Sequence, residues 1–262
     1  MPDIAIHNAM GDAVLIRLPV EITAAIDYEI FRFAVMGPDP SLVYRFFLPG
    51  RFRRGVHRRG TMMHRENVNA FLLELAKCSQ SREMFSYLVG FLCHFALDSR
   101  THPYINSLAA ERRGMHCAME RTLDMMELER SGREPKDIMK LFTKYPDLPE
   151  AEQAMETVYD WRDNYFRIGY RHMKLYYWIA KDQSGLLNRV LELLPGQRSY
   201  VSYRNHKCDN MDLSGFQSFE EEAVEFGVDL IRAAYRYRQG KISDADFLDV
   251  IGDRNYSGVP VR

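Results

Sequence analysis

The segment MFSYLVGFLCHFALDSRTHPYI, residues 84–105, contains the longest apolar run of the sequence and decides the class of fold. The run from Met84 to Leu97 is shorter than the roughly 18 apolar residues of a membrane span, and it includes His94. It therefore predicts a helix buried in a protein core. In the rest of the chain, apolar residues recur mostly every three or four positions and period-two alternation is scarce. We therefore expect an all-α protein.

The same periodicity gives the extent of the helices. Gly, Pro and polar clusters separate them, including MGPDPS at 36–41 and the basic stretch LPGRFRRGVHRRG at 48–60, which we interpret as loops. No repeat, low-complexity tract or flexible linker divides the chain, so we expect a single multi-helix domain over residues 1–262. The predicted helices are Val20–Val35, Thr61–Lys77, Arg82–Ser99, Ser107–Arg130, Ala151–Lys181, Leu186–Leu194, Phe219–Gln239 and Ser243–Ile251.

Composition narrows the classes of function. A chain of 262 residues that is 46% hydrophobic can bury a full-sized core, and a net charge of −1 argues against a bulk nucleic-acid binder. The first residues, MPDIAIHNAMGDAV, lack the basic start and long apolar core of a secretory signal, so we expect a cytoplasmic protein. The cysteines have no CxxC spacing, which favours free thiols over a zinc ribbon.

Side chains that bind metals recur at four-residue spacing in two neighbouring segments. The first segment contributes His94, Asp98 and His102, and four-residue spacing places these side chains on one helix face. The second, GMHCAMERTLD at 114–124, contributes His116 and Glu120. A metal, a buried polar network and chance could each explain one such pair, because a histidine with an acid four residues away is also an ordinary helix pair. Two pairs together favour metal, since zinc takes three or four imidazole and carboxylate ligands.

Pro103 affects the geometry expected at the end of the first segment. Proline disfavours helical backbone at the preceding residue, so we expect the helix that carries His94 and Asp98 to end at His102. His102 would then turn toward a different ion from the one that its neighbours bind.

The ordered set of candidates resembles the zinc-dependent phospholipase C family, which includes uncharacterised bacterial members and, more distantly, the single-strand-specific nucleases. The resemblance covers roughly residues 1–125, leaving residues 126–262 as a helical remainder. It implies an all-helical enzyme with two to three zinc ions. The motifs that carry it are the GPD turn at Gly37–Asp39, the helix GFLCHFALDS at Gly90–Ser99, His102 followed by Pro103, and His116 with Glu120.

The resemblance also implies how the ligands divide among the ions. Asp98 would bridge two ions, the second of which would bind His7 and, in the secreted enzymes, the amino group of the first residue. The nitrogen of Pro2 is a candidate for that role here. His57 competes with His64 for one position, and we prefer His64 because it begins a periodic helix. The first ion would be surrounded by Asp39, His64, His94 and Asp98, and a separate ion by His102, His116 and Glu120.

The implied chemistry is hydrolysis of a phosphoester by a zinc-activated water, with a small phosphoester or a phospholipid headgroup as substrate. Asp39 is the expected catalytic carboxylate, because a turn residue can orient the water without giving both oxygens to a metal. Asn205 and His206 are candidates for substrate binding in a late loop, and the arginines of the stretch at 48–60 could gather a phosphorylated substrate. The alternatives are a hydrolase of the same fold that acts on nucleic acid or a phosphorylated metabolite, and a metal-binding protein without catalysis.

Overall fold

The computed structural model describes residues 4–48, 50–52, 54–109, 115–161, 165–181, 186, 190 and 213–261. Helices account for the regular structure of these residues, and the one extended pairing among them is an isolated bridge between Arg254 and Pro260. The all-α prediction is confirmed. The helices are α1 (Ile4–Arg17), α2 (Val20–Thr23), α3 (Tyr28–Ala34), α4 (Arg54–Arg65), α5 (Val68–Lys77), α6 (Arg82–Ala109), α7 (Met115–Arg130), α8 (Pro149–Tyr159), α9 (Tyr165–Ala180), α10 (Phe216–Arg238) and α11 (Asp244–Ile251). Short 3₁₀ helices span Asp39–Ser41, Gly50–Phe52 and Pro135–Leu141.

Helix α6 forms the centre of the fold. Every residue from Met84 to Ser99 is buried, which confirms the buried helix predicted from its apolar run. Helices α3 and α10 make its most extensive contacts, and α1, α5 and α7 also pack against it. Gly90 allows the close approach of α3, because a Cβ at this position would lie 2.6 Å from the Cβ of Ala34. Within the described part of the chain, no helix has the length and apolar character needed to cross a membrane.

The prediction that this helix ends at His102 is wrong, because α6 continues through Pro103 to Ala109. Proline has no N–H to donate to the carbonyl of Ser99, four residues earlier, so that oxygen loses its helical partner. Gly258 packs at this point: a Cβ there would lie 2.6 Å from the Ser99 oxygen and 2.5 Å from Pro103 Cγ. The carboxyl-terminal segment thus lies against the helix where the proline interrupts its hydrogen bonding.

Several other predicted boundaries are wrong because local capping overrides the apolar period. Asp27 ends the predicted helix Val20–Val35 in its middle, because its carboxylate accepts hydrogen bonds from the backbone N–H groups of Glu29 and Ile30, at 3.0 and 3.2 Å, and begins α3. Asn67 and Asp160 adopt left-handed backbone conformations, with φ of 54° and 51°. Asn67 is the N-cap of α5 and Asp160 is the C-cap of α8, so these residues divide the predicted helices Thr61–Lys77 and Ala151–Lys181.

Helix α1 and the part of α4 that precedes Thr61 were not predicted. The sequence of α1 lacks the one-sided apolar pattern of an amphipathic helix, because its buried residues lie on more than one side of the helix. Helix α4 occupies Arg54–Arg65, where the arginines of the basic stretch had suggested a loop. The predicted helix Leu186–Leu194 and the cysteine at 208 lie outside the described residues, apart from Leu186 and Val190.

Candidate metal centre

The structure brings the eight metal-binding candidates together from five elements. Residues of α1, of the 3₁₀ turn Asp39–Ser41, and of α4, α6 and α7 meet beside a cavity of about 430 Å³. All of them except His94 line that cavity, and His94 lies fully buried behind it. These candidates form three groups, and within each group the donor atoms lie within 4.8 Å of one another. The full set is His7, Asp39, His64, His94, Asp98, His102, His116 and Glu120.

The first group is His7, His94 and Asp98. The two imidazole rings stack with centroids 4.0 Å apart and planes 9° from parallel. Asp98 directs its Oδ1 to His7 Nε2 at 3.4 Å and its Oδ2 to His94 Nε2 at 3.2 Å. Each oxygen of this carboxylate therefore faces a different imidazole.

The second group is Asp39, His64 and His94, so that His94 belongs to two groups. His64 Nε2 lies 2.9 Å from Asp39 Oδ1, and His94 Nε2 lies 4.0 Å from the same oxygen. Gly37 makes this approach possible. Its φ of +50° suits glycine, and a Cβ there would collide with the His94 ring.

The third group is His102, His116 and Glu120. Glu120 Oε1 lies 2.7 Å from His116 Nε2 and 3.3 Å from His102 Nε2. Asp98 Oδ2 lies 3.7 Å from His102 Nδ1, so this carboxylate also stands beside the third group. His102 reaches a separate group although its helix does not end there.

Of the five histidines among the ligand candidates, four are oriented by a hydrogen bond that Nδ1 donates. In each of these four, Nε2 points to a carboxylate of the site. An outer partner of this kind is usual for a metal-binding imidazole, because it fixes both the ring and the tautomer. The acceptors are the carbonyl of Gly60 for His64 (2.7 Å), of Val35 for His94 (3.0 Å) and of Tyr256 for His102 (2.7 Å), and Oδ1 of Asn106 for His116 (2.9 Å).

These outer partners were not predicted from the sequence. Gly60 lies four residues before His64 on the same helix, and only that spacing offered a signal. Tyr256 is 154 positions from His102, and no local pattern relates the two.

The electrostatics of the site show how closely the charges are coupled. Burial alone would lower the pKa of His102, but the Asp98 and Glu120 carboxylates and the Tyr256 carbonyl raise it to about 9. Burial and the adjacent His94 lower the pKa of His7. Burial opposes ionisation of Asp98, yet His102 and His94 hold its pKa well below the usual range. Without metal, a proton on His102 offsets part of the charge of the buried carboxylates, so a cation must displace that proton to bind there.

The residues fit a metal better than they fit a closed polar network. His94 Nε2 is buried beside Asp98 Oδ2 at 3.2 Å, but among the described residues it makes no hydrogen bond of normal geometry. An unsatisfied buried nitrogen is costly, and a cation would satisfy it. Nitrogen and oxygen donors in groups of three match the ligand type and number that zinc takes. The three groups could therefore hold metal ions.

Other predicted residues lie in different positions. His57 is on α4, not on a loop, and it lines the same cavity without joining any of the three groups. Asn205 and His206 lie outside the described residues.

Comparison with known families gives one match. A family model described as zinc dependent phospholipase C matches residues 7–172. The match extends past Glu120, the last ligand candidate, and includes α8 and the first half of α9. Comparisons with curated proteins and with solved structures give no match.

Proposed function

The chain belongs to the zinc-dependent phospholipase C family, and from this membership we propose that it hydrolyses phosphoester bonds with the help of zinc. The observation that carries the proposal is the meeting of three donor groups beside one cavity. Bound zinc ions would supply Lewis acidity, activating a water molecule for attack on phosphorus and offsetting charge on the phosphoryl oxygens.

We assign the ligands by group. Asp39, His64, His94 and Asp98 would hold one ion, His102, His116 and Glu120 a second, and His7 with Asp98 a third. Asp98 is the residue suited to link neighbouring ions, because its two oxygens face different imidazoles. The single negative charge of this carboxylate would reduce repulsion between two cations held close together.

Asp39 is proposed as the carboxylate that orients the attacking water or takes its proton. It is buried, on a turn, and lines the cavity. Burial opposes its ionisation, but His94 and His64 lower its pKa, so the carboxylate is ionised at neutral pH. Its Oδ1 faces both histidines, which leaves Oδ2 to accept a proton.

A purified full chain loaded with zinc provides the test. It would be assayed against phosphatidylcholine in detergent, bis-p-nitrophenyl phosphate, p-nitrophenyl phosphate and single-stranded DNA, beside a chelated sample. We expect hydrolysis of at least one class, and the class identifies whether a phospholipid headgroup, a small phosphoester or nucleic acid is the substrate. Bound zinc with no hydrolysis of any class would favour the alternative of a metal-binding protein without catalysis.

A further inference from the structure

One wall of the cavity is formed by a row of residues on α4 that the proposed zinc chemistry does not use. His57, Thr61 and Arg65 recur every four residues and therefore share a helix face, and all three line the cavity with His64. The Thr61 hydroxyl donates to the His57 carbonyl at 2.9 Å, so its proton is already committed. Arg65 is the side chain of this row that brings a permanent positive charge.

The end of α4 is held in a fixed position relative to the zinc ligands. The backbone N–H of Tyr256 donates to the carbonyl of His64 at 3.2 Å, and the Asn255 side chain donates to the carbonyl of Arg65 at 3.4 Å. The carbonyl of the same Tyr256 orients His102. The segment 255–256 therefore links the backbone of Arg65 to ligands of two metal groups.

Arg65 has an exposed side chain, and no acidic partner is found for it in the part of the chain that the structure describes. Among the described residues, the acids that line the cavity are Asp39, Asp98 and Glu120, and all three are proposed zinc ligands. Two divalent cations outweigh the charge of three carboxylates, so the loaded cavity would be positive. An arginine that lines the cavity adds to that field, and its guanidinium can offer paired N–H groups to a carboxylate or phosphate.

The lining also argues against a cationic headgroup. A quaternary ammonium group is bound by the faces of aromatic rings. No Phe, Tyr or Trp is found among the described residues that line the cavity, where Leu42 is the one large apolar side chain. The described residues that line the cavity therefore favour an anionic substrate group over a choline-like one.

We propose that Arg65 forms a subsite for a second anionic group of the substrate, so that the enzyme prefers phosphoesters with an additional carboxylate or phosphate. The proposal rests on the proposed function, because the first phosphate is taken to bind at the zinc ions. Arg65 would act in substrate binding and would set specificity.

Three ligands with one phosphate each and different second groups test this subsite by calorimetric titration of the zinc-loaded full chain. Phosphoglycolate carries a carboxylate, ethyl phosphate is uncharged beyond its phosphate, and phosphocholine carries a quaternary ammonium. We expect affinity to fall in that order. In Arg65→Gln the preference for phosphoglycolate over ethyl phosphate should fall about tenfold, as expected for one charge-assisted contact. The affinity for ethyl phosphate should change by less than about twofold, because the zinc ligands are intact.

Arg232→Gln is the control, because Arg232 is an exposed arginine on α10 that does not line the cavity and lies outside the basic stretch at 48–60. It should leave all three affinities unchanged, and zinc content should be equal in the three proteins. Equal affinity of the wild-type protein for phosphoglycolate and ethyl phosphate, or an unchanged preference in Arg65→Gln, would overturn the subsite alone. Failure of all three ligands to bind would count against the phosphate site itself, and with it against the proposed function.

Discussion

At the scale of single residues, Asp98 is the contact shared by the proposed metal groups. Its oxygens lie 3.4 Å from His7, 3.2 Å from His94 and 3.7 Å from His102. Asp39, by contrast, faces His64 and His94 through one oxygen. The two aspartates therefore differ in what the loss of a negative charge should do.

Substitution of asparagine at these two positions should separate metal binding from catalysis. In Asp98→Asn the charge that holds neighbouring cations together is lost, so we expect at least one ion per chain and most hydrolysis to disappear. In Asp39→Asn the other ligands of that ion remain, so we expect metal content to be largely kept. Turnover should then fall by a factor on the order of 10² to 10⁴, as for loss of a positioned base. Elemental analysis and the rate on the best substrate measure both effects.

The comparison has two contrary outcomes. Equal metal loss in both variants would make Asp39 a ligand without a separate catalytic role. Full activity and full metal content in Asp98→Asn would show that the ligand candidates of α6, namely His94, Asp98 and His102, are not the centre of the site.

The outer partner of His116 offers a second residue-level prediction. Asn106 is exposed, so its substitution should cost little stability, yet its Oδ1 accepts the Nδ1 proton of His116 at 2.9 Å. In Asn106→Ala we expect the affinity for one zinc ion to fall 10- to 100-fold, as for loss of a partner that orients a ligand. Asn106→Asp keeps an acceptor and should retain the affinity. Competition with a chromophoric chelator measures it, and equal affinities in the two variants would show that the contact does not orient His116.

At the scale of elements, the success of the sequence prediction depended on how local the determining forces were. Helix α6 was predicted because it is buried on all sides, and its sequence is correspondingly an almost unbroken apolar run. Its continuation past Pro103 was not, because the segment around Gly258 that covers the interrupted carbonyl comes from the far end of the chain. The charged surface of α4 likewise concealed a helix, since only Val56, Gly60 and Met63 of its twelve residues are buried.

Helix α1, which carries His7, is held from outside by a buried carboxylate on α7. Asp124 Oδ1 accepts hydrogen bonds from the backbone N–H groups of Ala5 and Ile6 at 2.8 and 3.0 Å, and thereby caps the first turn of α1. The other oxygen, Oδ2, is buried and has no hydrogen-bond partner among the described residues. Burial raises the pKa of Asp124 to about 8, opposed by the two backbone N–H groups and assisted by the charge of Glu120.

This raised pKa predicts a pH-dependent difference between Asp124 and an uncharged replacement. Between pH 4 and pH 8, Asp124 of the metal-free protein binds a proton when folded and releases it when unfolded, so its contribution to stability falls as pH rises. Asn keeps an acceptor for the two N–H groups and does not titrate. The free energy of unfolding of Asp124→Asn, relative to wild type, should therefore rise from pH 5 to pH 9.

Urea unfolding at pH 5, 7 and 9 with a chelator present measures the difference. Asp124→Ala is the control: it loses the acceptor and should be less stable than Asp124→Asn at every pH, by about 1 kcal/mol. A constant difference between wild type and Asp124→Asn over this range would show that Asp124 is ionised in the folded protein.

At the scale of the whole molecule, the site draws on both ends of the described chain. All eight proposed ligands lie between residues 7 and 120, and this order made them visible in the sequence. The groups that orient them and shape the cavity are more widely spread, and include Tyr256 and Ser257. Such contacts leave no periodic signature, because they form only after the helices have packed.

This arrangement predicts that metal binding contributes to global stability. The ligands come from α1, the turn at Asp39–Ser41, α4, α6 and α7, so unfolding any of these elements would disrupt a metal group. We expect at least two zinc ions per chain in dialysed, untagged protein by elemental analysis. Free zinc at about 100 times the Kd of one ion adds about 2.7 kcal/mol to the free energy of unfolding. For a chain of this size, chelation should then lower the Tm by roughly 5 to 10 °C per ion.

The control is Asp98→Asn, whose Tm should fall less on chelation because this variant starts with fewer ions. Adding zinc back to the chelated wild-type protein should restore its original Tm. Fewer than one ion per chain after zinc supplementation, or an unchanged Tm after verified metal removal, would contradict a metal site that ties these helices together.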